Sequence, residues 1–294
     1  MAKFAINEAF LQQLETLQTI LKNNIAGLFG GNHKSKTFGS SCEFTDYRDY
    51  LAGDDLTKID WNAYARFDKL YLKLYLDERQ LHTRIYIDAS RSMDFGKGKK
   101  AEQALQIAAA IAYLSVCEMD KVSIYFIQEK EVHEVAVGMV GREAFYNAIG
   151  KLNDIEFQGD SYLSEAILPS KVGYGDGLSV LISDFLTDND YDTAIDHLTD
   201  KHRDVCCVQI LSQEELNPLI RGKVRFFDCE SNARLYQKNI NRDIAKAYRK
   251  ALEYTIERIR NYCLSRNASY LMIPADKPIG DVFLQSFAQA GVLK

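Results

Sequence analysis

Asp88, Ser90 and Ser92 stand in the string Asp88-Ala89-Ser90-Arg91-Ser92, directly after the apolar run 84–87. A helical pattern follows at once. One carboxylate and two hydroxyls therefore share a tight turn at the end of a strand. All three side chains offer hard oxygen, which suits Mg²⁺, Mn²⁺ or Ca²⁺ rather than zinc. In open α/β sheets, ligands bind beyond the carboxyl ends of the strands, where the strand order reverses. Two further segments supply matching groups. Gly159-Asp160-Ser161 precedes a helical pattern, and Ser183-Asp184 ends the apolar run 178–182. Parallel strands point their carboxyl ends to one edge, so Asp88 and Asp184 are expected to share it, with Ser161 at a nearby loop tip. Ser90, Ser92 and Ser161 would supply direct or near-direct oxygens, and Asp88 and Asp184 would act partly through water. With mainly neutral direct ligands, Mg²⁺ or Mn²⁺ keeps much of its charge and attracts a carboxylate from a partner. In isolation the metal is expected to bind weakly, because solvent must complete its shell.

The alternative is a Mg²⁺-dependent hydrolase acting on phosphoesters, with Asp88 or Asp184 as nucleophile or base. Aspartyl-phosphate chemistry asks for a second aspartate two residues after the first, where Ser90 stands. No lysine or histidine is evidently positioned as acid or base. A G-x-S-x-G elbow is absent, and residues 96–100, GKGKK, lack the outer glycine and the Ser/Thr of a phosphate loop. They read as a basic helix start. The histidines, at 33, 82, 133, 197 and 202, show no helical metal-ligand spacing. A non-enzymatic interaction module is the preferred reading.

These groups need a scaffold. From residue 81 onward, apolar runs alternate with helical patterns. Strands are expected at 81–88, 122–127, 132–137, 178–183, 205–211, 223–227 and 270–273, and helices at 99–118, 142–152, 163–168, 191–199, 242–266 and 281–290. Alternating elements imply a doubly wound, mostly parallel α/β sheet with helices on both faces. The pair at 122–137 looks antiparallel. Residues 7–28 form an amphipathic helix, with Phe10, Leu14, Leu17, Leu21 and Ile25 on one stripe. It either packs on the domain or docks on a partner. Residues 27–41 are a Gly/Ser-rich loop. Residues 70–76 alternate like a strand and could pair antiparallel with 81–88.

The chain has 294 residues, 47% of them hydrophobic, enough for one sizeable core, and a net charge of −5 argues against coating nucleic acid. The basic residues of 242–266 read as a solvated face. Six cysteines without a C-x-x-C pair suggest reduced thiols in a cytoplasmic protein. No apolar stretch reaches the roughly 20 residues of a membrane span.

The D-x-S-x-S loop, Ser161 and Asp184 resemble the metal-ion-dependent adhesion site of von Willebrand factor A domains. Ser161 takes that family's threonine position, keeping the hydroxyl and losing the methyl that restrains it. The resemblance covers about 81–290. A second one precedes it. Glu43-Phe44, Arg48, Tyr50, Gly53-Asp54-Asp55, Ile59-Asp60-Trp61 and Ala65-Arg66 resemble the signature of the bacterial "domain of unknown function 58" family. Lys58 stands where arginine is usual, which keeps the charge and loses bidentate pairing. That family implies a partnership with a MoxR-type AAA+ ATPase or its client, as an adaptor or chaperone-like factor. Many members carry N-terminal membrane helices, so this chain reads as a soluble short form. Two regions follow, 1–80 and an adhesion-type domain at 81–294. The segment 43–66 is too polar for a core element and fits neither strand nor helix period. It is expected to be an irregular collar pinned on the sheet, with Trp61 buried, or a docking surface built from Glu43, Arg48, Asp54, Asp55, Asp60, Trp61 and Arg66.

Overall fold

The computed structural model describes residues 6–24, 43–51, 53–76, 80–94, 99–170, 174–175, 177–186, 190–218, 222–227, 234–240 and 242–288. Two compact units result: one is the 30–80 segment, and the other joins the N-terminal helix to everything from Leu81 onward. Helix α1 (Glu8–Asn24) buries Phe10, Leu14, Leu17 and Leu21 in the main core, and Asn7 caps it by accepting the Phe10 N–H. The helix thus groups with the larger unit rather than with the 1–80 region. The Gly/Ser-rich loop expected at 27–41, and the end of the helix at 25–28, lie outside the described residues.

The smaller unit contains β1 (Glu43–Asp49), α2 (Trp61–Phe67) and β2 (Tyr71–Leu76). Strands β1 and β2 form an antiparallel ribbon of their own. The expected pairing of 70–76 with 81–88 does not form, because both edges of that later strand are already taken within the main sheet. The stretch read as irregular therefore holds a strand, a short 3₁₀ turn (Leu56–Lys58) and a helix. Trp61 is also corrected: it is 60% exposed. It opens α2, a two-turn helix that buries none of its residues, while Ile59 and Leu72 form the buried contact of the ribbon.

The larger unit continues with β3 (His82–Asp88), α3 (Lys100–Cys117), β4 (Lys121–Gln128), β5 (Glu131–Met139), α4 (Gly141–Asn153) and α5 (Leu163–Ile167). Then come β6 (Leu178–Ser183), α6 (Asp192–Asp200), β7 (Asp204–Leu211) and the one-turn α7 (Gln213–Leu216). A separate hairpin, β8 (Gly222–Phe227) and β9 (Arg234–Ile240), leads to α8 (Arg242–Ser265). Strand β10 (Ser269–Pro274) and α9 (Ile279–Asp281), which continues as a π-helical turn to Phe287, complete it. The main sheet runs β10-β7-β6-β3-β4-β5, parallel except for the edge strand β5.

Continuous apolar runs such as β6 suit strands covered on both faces. Alternation then divides the core: Ile85 and Ile87 face the cluster containing α1 and α3, while Tyr86 faces the cluster of α5 and α6. Helix α3 is rich in alanine and buried on most sides, which lets it lie close to the sheet. From β3 the chain steps one way to β4 and β5, and later returns to β6 on the other side and proceeds to β7 and β10. The switch point therefore lies between β3 and β6, at whose ends Asp88 and Asp184 stand.

Candidate functional site

Asp88 is the last residue of β3; Ser90 follows just before, and Ser92 within, a 3₁₀ turn (Arg91–Asp94) that buries Met93. The Asp88 carboxylate takes the Ser90 N–H on Oδ1 at 2.9 Å, and the Ser183 hydroxyl donates to Oδ2 at 2.5 Å. The hydroxyls of Ser90 and Ser92 lie 3.0 Å apart. Ser161 is brought in by backbone ties. Gln158 donates its N–H to the Ala89 carbonyl, the Arg91 N–H reaches the Gly159 carbonyl, and Ser161 itself bridges to Glu129 after β4. Gly159 sits at φ 68°, a conformation that favours glycine in this tight loop. Asp184 follows β6: its Oδ1 accepts the Leu186 N–H at 3.1 Å, and its carbonyl accepts from Gln209 Nε2 at 2.7 Å. The three segments singled out in the sequence thus meet at one sheet edge.

The sequence did not reveal three partners. Ser183, fully buried, links β6 to Asp88 and also accepts the Phe185 N–H at 3.0 Å. Lys100, read from the sequence as part of a basic helix start, is only 3% exposed. Its ammonium donates to Asp184 Oδ2 at 2.7 Å and to Glu215 Oε1 at 2.6 Å. Glu215 is in turn fixed by a capping box, with its Oε2 on the Ser212 N–H at 2.7 Å. A lysine is therefore positioned on an aspartate of the site, contrary to the expectation that none would be. A buried Lys needs partners, but its sequence offered no sign of which carboxylates those are.

Burial, and then the charge of Asp184, push the Asp88 carboxyl above the usual range. Burial alone would pull the Lys100 ammonium down, but Asp184 and Glu215 outweigh it and hold it above the ordinary lysine value. Among the described residues, no cation lies within ion-pair distance of Asp88. Asp184 and Glu215 share the one ammonium, and Asp88 lies near enough to Asp184 to feel its charge; with all three carboxyls ionised, the four groups carry an excess of two negative charges. Buried charges of that kind need compensation. Hard oxygen donors with a deficit of two positive charges fit a divalent cation such as Mg²⁺ or Mn²⁺.

In the smaller unit, the acidic signature residues Asp54, Asp55 and Asp60 bond groups of their own segment. Arg48 pairs with Asp54 at 2.8 Å, and Asp54 also takes the Leu51 N–H. Asp55 caps the 3₁₀ turn through Thr57, and Asp60 caps α2 through the N–H groups of Asn62 and Ala63. Asp60 further accepts the Tyr47 hydroxyl at 2.8 Å and lies 3.3 Å from the Lys73 ammonium. The hydroxyl of Tyr47, the two amides and Lys73 overcome burial and hold Asp60 at about 2. Trp61 and Arg66 are exposed, and the Glu43 side chain lies outside the described residues.

A family profile described as protein of unknown function DUF58 matches residues 46–258. The chain belongs to this family. Uncharacterised proteins of Mycobacterium tuberculosis (strain ATCC 25618 / H37Rv) and Mycobacterium bovis are each 33% identical to this DUF58 chain over 104 residues, which is 35% of it and 33% of each relative. The match thus spans about a third of the length of those relatives. Among solved structures, a von Willebrand factor type A protein from Catenulispora acidiphila is similar at 11% identity and TM-score 0.45, covering 74% of this chain and 43% of that one. The conserved hypothetical protein BatB from Bacteroides thetaiotaomicron is similar at 13% identity and TM-score 0.43, covering 72% and 99%. Among the described residues, no helix of this DUF58 protein is long and apolar enough to cross a membrane.

Proposed function

We propose that this DUF58 chain is a cytoplasmic, non-enzymatic protein-interaction module that captures a partner's carboxylate through Mg²⁺ or Mn²⁺ at the β3–β6 edge. Asp88, Ser90, Ser92, Ser161 and Asp184 hold the ion. The observation that carries this reading is Asp88, a buried carboxylate with no cationic partner among the described residues, beside paired serine hydroxyls. A bound divalent cation supplies an electrophile with an open position. The residues do the rest: Ser183 fixes the Asp88 carboxylate, and Lys100 and the Leu186 amide fix that of Asp184. The Ala89–Gln158 and Arg91–Gly159 backbone bonds set the second loop against the first.

The family resemblance points to a MoxR-type AAA+ ATPase, or its client, as the source of the carboxylate, with this chain as adaptor or chaperone-like factor. The exposed Trp61 and Arg66 offer a second contact that does not depend on metal. The test is binding to a MoxR-type ATPase in Mg²⁺ and in EDTA, with wild type and Asp184→Ala. Affinity should fall about one to two decades on chelation or substitution, with the circular dichroism spectrum unchanged. Equal affinity in all conditions would make the site structural and the proposal wrong.

A further inference from the structure

Lys100 is the group at this edge to which the capture reading assigns only the holding of Asp184. A charged side chain this deeply buried is uncommon, and this one is aimed at a proposed metal ligand rather than away from it. Asp184 is tied at Oδ1 to Leu186 and at its carbonyl to Gln209, while Glu215 is held by Ser212. The ammonium therefore sits between two anchored carboxylates, with side chains 3% and 4% exposed for Lys100 and Asp184.

We propose that Lys100 tunes the site: its tethered positive charge neutralises Asp184, loosens the hold on a divalent cation, and keeps that cation electrophilic toward an incoming carboxylate. This rests on the capture reading. The reasoning is charge balance at short range in a poorly screened interior. With Asp88, Asp184 and Glu215 all ionised around a bound cation, Lys100 leaves two negative charges, so these four groups and one divalent ion sum to zero and accept an anion. Without the lysine charge, the same site holds the ion more tightly and stays net negative, which repels an anionic ligand. Lys100 bonds Asp184 and Glu215 through its ammonium. It is a positioning and charge-setting residue, acting through Asp184.

The test is Mn²⁺ affinity by calorimetry on the full chain, with glutarate as the carboxylate probe at saturating Mn²⁺. Lys100→Met should bind Mn²⁺ about tenfold or more tightly than wild type and should bind glutarate more weakly. Glu215→Gln should bind Mn²⁺ more weakly than wild type. The double variant K100M/E215Q restores the original charge count and should return close to wild type, and Lys100→Arg should match it. This ordering separates tuning from a merely structural clamp, for which every variant lacking the Lys100–Glu215 pair would lose Mn²⁺ affinity together. Unchanged or weaker Mn²⁺ binding in both K100M and the double variant would overturn the proposal. If Lys100→Met binds Mn²⁺ while wild type binds none, the control by Lys100 stands and the resident-metal part of the capture reading fails. If neither binds, both fall.

Discussion

Removing the Ser183 hydroxyl should damage the site and the fold together. Ser183 is fully buried, donates to Asp88 Oδ2 at 2.5 Å and accepts the Phe185 N–H at 3.0 Å. Ser183→Ala leaves a carboxylate oxygen and a backbone amide without those partners in the interior. A hydrogen bond to a charged group contributes about 1.5–3 kcal/mol, and an unsatisfied buried donor costs about 1–3 kcal/mol. The two losses share one atom and are not additive, so the expected destabilisation is about 3–4 kcal/mol. Ser92→Ala is the contrast: its bond to Ser90 is between neutral hydroxyls at a half-buried position, and its loss should cost about 1 kcal/mol or less. Guanidinium unfolding followed by far-ultraviolet circular dichroism in EDTA measures both at constant m-value. Acidification should shrink the Ser183→Ala deficit, because a protonated Asp88 has no charge for the hydroxyl to stabilise. A deficit below about 1 kcal/mol at neutral pH would refute the view that Ser183 anchors Asp88.

Other outcomes follow from the same geometry. The single tryptophan, Trp61, should emit as a water-exposed indole and be readily quenched by iodide, and Trp61→Ala should change stability by no more than about 0.5 kcal/mol; blue-shifted, protected emission would contradict this. His82 is held at about 4, first by burial and then by Arg84, Arg203 and Lys121. The unfolded chain therefore binds the extra proton first, and stability should fall as pH drops from about 6.5 through about 4, a slope that His82→Gln should flatten. A titration curve identical in that variant would count against it. Asp60 should titrate near 2 by carbonyl NMR. Its contribution is present above the ordinary aspartate range and is lost as pH falls through about 2, and Tyr47→Phe should raise its midpoint; an unmoved midpoint would mean that the Tyr47 bond is not the cause.

Much of the scaffold was legible because its periods are strong. The run 178–183 coincides with β6, and the apolar stripe of α1 is the buried one. Asp88, Ser90, Ser92, Ser161 and Asp184 could be singled out because parallel strands deliver their ends to one edge. Lys100 and Glu215 escaped because their meeting spans 115 residues, and Lys100 meets Asp184 across 84; no local pattern encodes a contact of that kind. Strand β1 was hidden by its composition, since an isolated ribbon needs no clean apolar face, and β9, rich in polar residues, was missed entirely. Trp61 was misplaced by equating aromaticity with core, when the adjacent Asp60 was already committed to starting a short surface helix.

The central claim is that the β3–β6 edge holds a divalent cation through Asp88. Electron paramagnetic resonance of Mn²⁺ titrated into the full chain tests it most directly, because the free-ion signal is lost on binding. Wild type should remove one equivalent of Mn²⁺ from that signal, with Mg²⁺ competing, and Asp88→Ala should remove none while keeping its circular dichroism spectrum. Equal Mn²⁺ uptake by the two proteins, or none by either, would contradict the account.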